Sequence, residues 1–269
     1  MSKNSITDIL QPVPFEKWPL IQNKTKLNWP EFAYYYYWIQ NSIVWKKENP
    51  NISIQIYCPD GDYEQGTFIG ISNFSVCNIL IFTLHPNSDI IHKVLTETKL
   101  IDYDQQICFA SVHGSFASNV FTALETLKYL RNVETELVLS NNYYFKPIEE
   151  CIKTKIWIPD ECYIKPLDKL NVPLIHSLWP HKSVKNPELS LKYIATLIEL
   201  NGGIGLYLKE NDSLVSWGIQ NDWQGLGMVQ TLEEHKRKGN TPSEKMFKAL
   251  GWKAVASCEF IKLTTIKKQ

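Results

Sequence analysis

The spacing of apolar residues changes character several times along the chain, and each change predicts an element. From Pro30 to Trp45, Phe32, Tyr35, Tyr36, Ile39 and Ile43 recur at three- and four-residue steps. This is helical spacing, and Asn28 ahead of Pro30 offers a start signal. The run of four tyrosines suits a strand equally well, so both readings stay open here. Ile52–Cys58 alternates, and Thr67–Ser72 and Cys77–Leu84 continue as strands, with Pro59-Asp60-Gly61-Asp62 as turn punctuation. Helical spacing returns at Ser88–Glu97 and Ala117–Leu130, on either side of a strand at Ile107–His113. Short strands follow at Glu136–Leu139 and Tyr143–Lys146.

A second series begins near Tyr163. Asn171–Trp179 and Pro187–Leu200 read as amphipathic helices, the second with Leu189, Tyr193, Ile194, Leu197 and Ile198 on one face. Strands at Gly205–Leu208, Ser213–Gln220 and Leu226–Leu232 follow, the first two joined by an Asn211-Asp212 turn. The last helix, Pro242–Leu250, carries explicit signals. Thr241 and Glu244 form a capping box, Pro242 takes the first helical position and Gly251 supplies a left-handed stop. A final strand, Ala254–Leu263, is expected to close this second unit. The predicted class is α/β of the α+β type, a mixed sheet flanked by helices.

Composition narrows the function classes. The 269 residues, 44% of them hydrophobic, suffice for one large core or two modest ones of roughly 100–150 residues each. Lys+Arg and Asp+Glu both total 28, so the chain has no net charge and no basic stripe with which to track nucleic acid. The longest apolar runs fall far below the ~20 residues that span a bilayer, and Met1–Leu20 is interrupted by Asp8 and Glu16. A soluble intracellular chain, not a secreted one, is therefore expected; Met1–Leu20 shows no mitochondrial presequence. The six cysteines form no C-x-x-C pair or metal spacing, and read as small buried hydrophobes without disulfides; no metal site is expected.

One segment carries candidate chemistry. Strand Leu226–Leu232 leads into Glu233-Glu234-His235-Lys236-Arg237-Lys238-Gly239, a basic loop ending in glycine just before a helix start. Glycine admits close backbone approach to a diphosphate, and N–H groups and the helix dipole favour its charge. With Asn240-x-x-Ser243-x-x-x-Phe247-x-x-x-Gly251-Trp252, the loop resembles the GNAT superfamily of acyl-CoA-dependent N-acyltransferases. Leu170-Asn171-Val172-x-x-Ile175-x-x-x-Trp179, Asp212-Ser213-Leu214-Val215-Ser216-Trp217 and Thr231-Leu232-Glu233-Glu234 are similar to its glycine N-acyltransferase-like branch.

The resemblance implies two tandem GNAT-like domains, a degenerate one over residues 1–160 and an acyl-CoA-binding one over 161–269. It implies acyl-CoA as co-substrate with no permanently bound cofactor, and a small amine such as glycine or another amino acid as acceptor. Binding of CoA would fall to Val229, Gln230, Thr231, Lys236, Arg237, Lys238, Gly239, Asn240 and Ser243.

The chain departs from the family at three places. Gly239 runs directly into Asn240, where the family interposes a helix and a strand of about 25–30 residues. Phe247 stands where a tyrosine acid is often found, and phenylalanine donates no proton. Gly225 stands where vertebrate members carry a glutamate base, and Lys236 replaces the loop arginine, keeping charge without the fork. No catalytic residue is therefore assigned. Two functions follow: an N-acyltransferase, or a shortened, inactive chain acting at most as a binding partner.

Weaker motifs read as structure. Glu233, Glu234 and His235 are expected to be exposed, and Trp179 and Trp217 to be core. Gly202-Gly203-x-Gly205 lacks dinucleotide spacing, and Asn23, Asn51 and Asn73 head glycosylation sequons without a secretory route. His113-Gly114-Ser115 suggests a nucleophile but lacks the flanking glycines of a strained elbow.

Overall fold

The computed structural model describes residues 8–74, 76–180, 182, 186–232 and 243–266. Its elements fall into two successive series with the same order. The first runs β1 (Leu10–Pro12), α1 (Trp18–Lys24), α2 (Ala33–Glu48), β2 (Ile54–Pro59), β3 (Thr67–Asn73), β4 (Cys77–Thr83), α3 (Ile90–Glu97), β5 (Ile107–His113), α4 (Ala117–Arg131) and β6 (Val133–Phe145). After a single turn of helix, α5 (Ile148–Cys151), the second runs β7 (Cys162–Pro166), α6 (Val172–Leu178), α7 (Pro187–Leu200), β8 (Gly203–Leu208), β9 (Leu214–Gln220), β10 (Leu226–Thr231), α8 (Ser243–Ala249) and β11 (Lys253–Thr265). Among the described residues, the second series has no counterpart of α3 and β5.

The Pro30–Trp45 segment is a helix. Tyr34, Tyr35, Trp38, Ile39 and Trp45 all point into the core from α2. The start signal at Asn28 overshoots: α2 begins at Ala33, and Phe32, at its N-cap, makes no side-chain cap bond. The Gly251 stop is present, with φ of +82° and the Trp252 N–H bonded to Phe247 O at 3.0 Å. Its companions Thr241 and Pro242 lie outside the described residues. The two short strands expected at Glu136–Leu139 and Tyr143–Lys146 are one continuous strand, β6. Unpredicted elements are β1, α1, α5 and β7, all short.

Seven strands make the larger sheet, in the order β1-β2-β3-β4-β5-β11-β6; four make the smaller, β10-β9-β8-β7. All neighbours are antiparallel except β4 and β5, which run parallel. The last strand therefore does not close the second unit, as expected from sequence. It crosses to the first sheet and lies between β5 and β6, with Ile261 opposite both Phe109 and Leu137. The reason is burial: Cys258, Ile261 and Leu263 are at most 1% exposed there, within the same core as Phe109 and Val112. β6 answers with matching length, pairing with β11 from Val133 to Phe145.

The two series are joined by polar contacts as well as by packing. Asn41 Nδ2 of α2 donates to Asp222 O in the β9–β10 turn at 2.9 Å, and Tyr143 of β6 meets Trp223 edge-on at 6.1 Å. All six cysteines are free, four of them buried. Trp217 is core at 4% exposed, while Trp179 is half-buried beside Tyr193. No helix among the described residues is long and apolar enough to cross a membrane.

Candidate active site

The sequence places its chemistry on β10, and the structure shows how that strand differs from its neighbours. Leu226 and Gly227 pair with Gln220 and Ile219, whereas Gln230 and Thr231 pair with Trp217 and Ser216. Met228 and Val229 thus face the single residue Gly218, a β-bulge, and Met228 takes the left-handed φ of +48° that this requires. β10 also ends the four-stranded sheet among the described residues, so its outer backbone edge has no strand partner there. A bulged edge strand presents N–H and C=O groups to whatever lies alongside it.

Of the three candidates on β10, Val229 is exposed, and Gln230 and Thr231 are half-buried. The last two are knitted to β9: Ser216 Oγ donates to Gln230 O and lies 2.9 Å from Thr231 Oγ1. Leu232 N–H then bonds Val215 O at 2.9 Å. This fixes the exit of β10 toward the basic loop. Lys236, Arg237, Lys238, Gly239 and Asn240, with Glu233, Glu234 and His235, lie outside the described residues. Ser243 opens α8.

Phe247 sits on α8 between two rings, Tyr144 of β6 stacked at 6.2 Å and Trp252 edge-on at 5.5 Å. Gly225 lies in the β9–β10 turn, where its N–H donates to Asn221 Oδ1 at 2.8 Å. A Cβ at that position would come within 3.0 Å of the Trp223 ring, so the turn as built leaves little room for a glutamate.

One titratable group near this turn went unnoticed in the sequence. Asp222 is buried, and its Oδ1 has no hydrogen-bond partner. Burial raises its carboxyl to about 6, against the opposing effect of hydrogen bonds from its own backbone and Tyr193. Nothing in the local sequence marks it, because its burial comes from α7 and β5, distant in the chain.

The corresponding region of the first series is closed. β4 and β5 pair only over Cys77–Ile79 and Ile107–Phe109. Beyond that point α2 fills the space between them. The Tyr35 ring lies 5.0 Å from Phe82 of β4, and its hydroxyl donates to Ser111 O of β5 at 3.3 Å. Tyr34 donates to the same carbonyl, and Phe32 packs 5.2 Å from Phe82 and 5.0 Å from His113. The loop after β4, Leu84-His85-Pro86-Asn87-Ser88-Asp89, has neither glycine nor Lys or Arg. An open depression of about 400 Å³ lies elsewhere, lined by Leu20, Asn23, Lys24, Leu27, Tyr63 and Glu64.

Comparison with known proteins agrees with this architecture. Residues 9–123 match the model of a domain of unknown function, DUF5645, and residues 203–240 match that of FR47-like proteins. A Drosophila protein of known structure is similar over 96% of this chain and 99% of its own, with a TM-score of 0.82 and 21% identity. A tandem GNAT protein from the clavulanic acid biosynthesis pathway, solved without AcCoA, covers 97% of this chain and 99% of its own, with a TM-score of 0.54 and 8% identity. The chain has a tandem GNAT-type fold. No curated protein matches it significantly. The FR47-like match spans β8, β9 and β10 and runs into the basic loop, the stretch that the sequence singled out.

Proposed function

We propose that the chain is an acyl-CoA-dependent N-acyltransferase of the glycine N-acyltransferase-like branch, transferring an acyl group to the amine of glycine or another small amino acid. The observation that carries this reading is the bulge at Met228 and Val229, on a strand whose outer edge has no strand partner among the described residues and which leads, in sequence, into Lys236–Gly239. An edge strand can pair with the amides of a pantetheine arm and orient the thioester carbonyl, while the basic loop and Asn240 take the diphosphate. Ser243 completes the proposed CoA contacts. The neutral amine attacks the thioester carbon, the C–S bond breaks, and the proton leaving nitrogen goes to the departing thiolate. The division into an N-terminal domain of 1–160 and a CoA-binding domain of 161–269 follows the two series along the chain, with β11 of the second inserted in the sheet of the first, and belongs to the same proposal, as does a place in the cytoplasm or mitochondrion.

A second reading has its own observation. Residues 232–242 alone separate β10 from α8, whereas α3 and β5 intervene between β4 and α4 in the first series. A chain lacking one wall of its cleft would bind acyl-CoA weakly or not at all, and would act at most as a binding partner. Calorimetric titration with acetyl- and benzoyl-CoA, followed by mass spectrometry of glycine reaction mixtures, decides between them. Micromolar binding with acylated glycine supports the transferase. Absence of binding at millimolar CoA ester rejects it, and binding without product favours the inactive chain.

A further inference from the structure

β5 passes into α4 through one short turn, Gly114–Phe116, and Ser115 sits exposed at its tip. The buried imidazole of His113 lies beneath it, with Nδ1 2.7 Å from Ser115 Oγ and 3.1 Å from Ser115 N. The backbone contact fixes the tautomer. An N–H must donate to Nδ1, so Nδ1 carries no proton and the ring proton is on Nε2. The serine hydroxyl can then only donate to Nδ1, which leaves its oxygen lone pairs facing solvent.

On the far side, His113 Nε2 is 3.3 Å from Glu31 Oε1, outside hydrogen-bonding geometry and otherwise without a partner. Glu31 is 41% exposed at the loop before α2, free to swing into line. Phe32 and Phe116 hold the imidazole, at 5.0 and 5.7 Å between ring centres. The order is that of a nucleophile, a base and an orienting carboxylate, assembled on a strand-turn-helix corner. The 15-residue helix α4 starts two residues after Ser115, so its N-terminal dipole stabilises negative charge close by. The motif lacks the flanking glycines of a strained elbow, and Glu31, remote in sequence, meets His113 only in the folded chain.

We propose that Ser115, His113 and Glu31 form a second site, on the first sheet and independent of CoA, that accepts acyl groups from small carboxylic esters or thioesters. Ser115 Oγ attacks the acyl carbon as its proton passes to His113 Nδ1. The ester C–O (or C–S) bond breaks, and the leaving group takes that proton from His113. Water then attacks the acyl-serine, returning the serine and releasing the acid. Ser115 and His113 are the catalytic pair, and Glu31 positions the imidazole.

The test treats the full chain with a biotinylated fluorophosphonate, and separately follows p-nitrophenyl acetate cleavage without CoA. Labelling of one serine, mapped to Ser115 by peptide mass, is expected. It should be lost in Ser115→Ala and kept in Ser118→Ala, with p-nitrophenol release falling at least tenfold in Ser115→Ala. Glu31→Ala should slow labelling several-fold at unchanged melting temperature, and Glu31→Asp should restore part of the rate. Ser115 is exposed, so its alanine variant is expected to fold. Labelling no greater than in heat-denatured protein, or labelling unchanged by Ser115→Ala, would overturn the proposal and leave His113 as a cap for the turn. Neither assay involves the β10 site, so the two proposals stand or fall separately.

Discussion

Trp45 Nε1, buried in the core on α2, donates to Asn201 Oδ1 at the end of α7, 2.8 Å away and 156 residues later in the chain. The same asparagine amide donates onward to Asn221 O at 2.7 Å, so one side chain ties the first helix layer to the β9–β10 turn. Asn201→Ala leaves the Trp45 indole N–H without a partner in the interior and strips one of two donors from Asn221 O, which keeps the Gln224 N–H. A loss of about 2–3 kcal/mol is expected, read as a lower urea midpoint at unchanged slope. An unchanged midpoint would mean that water replaces the asparagine.

The position of β11 makes the first series dependent on the last. Without it β5 and β6 lose their common neighbour, and Phe109 and Ile107 lose their cross-strand partners Ile261 and Leu263. A chain ending at residue 252, or the fragment 1–160, is therefore expected to be insoluble or molten. Co-expression with a peptide of residues 253–269 should restore folded protein. Sharp amide spectra from the fragment alone would refute this dependence.

Asp222 and His113 give stability a pH dependence of opposite sign. Asp222 is raised from 3.8 to about 6 by burial, so the folded state holds its proton longer and stability falls as pH rises through that window. His113 is lowered from 6.5 to about 4 by desolvation, so its contribution is full above 6.5 and is lost as pH falls toward 4. Asp222→Asn removes the first effect. The variant is expected to exceed the parent by up to about 3 kcal/mol at pH 7, with the difference vanishing near pH 4. Tyr193 and Cys108 also face this carboxyl. An equal difference at both pH values would show that folding leaves the Asp222 carboxyl unshifted.

Gly70 lies in the middle of β3, paired with both Ile56 and Leu80. A Cβ there would come within 2.5 Å of the Trp38 ring, which is itself 4% exposed and unable to retreat. Gly70→Ala is expected to cost about 1–3 kcal/mol by overpacking. Gly70→Ala in a Trp38→Leu background should recover part of that loss, and a Trp38-independent cost would point to the strand backbone instead.

Much of the fold was legible because local spacing reports local burial. The β2–β3–β4 and β8–β9–β10 meanders, α4, α7 and the end of α8 at Gly251 follow from patterns spanning one element and its turns. Short elements escaped: β1 has three residues and β7 five, too few for a period to show. A break is expected inside β6, which is continuous, because Leu137, Val138 and Leu139 are all exposed and Ser140-Asn141-Asn142 reads as a turn. At the candidate site the sequence supplied the residues of β10 but not its bulge. That bulge is a mismatch in register between two strands, not a property of one.

The amino-acid sequence by itself determined most of the longer helices and strands, where α8 stops, and which strand leads into the basic loop, since each rests on interactions within a few residues. It also determined that the second series is shorter between β10 and α8 than the first is between β4 and α4. Only the tertiary structure decided that β11 joins the first sheet, because its apolar alternation would satisfy any sheet with a free edge and a buried face. The same holds for Glu31 beside His113 and for Asp222 beneath α7. Their environments are built from residues scores of positions away, and no local pattern encodes such distances.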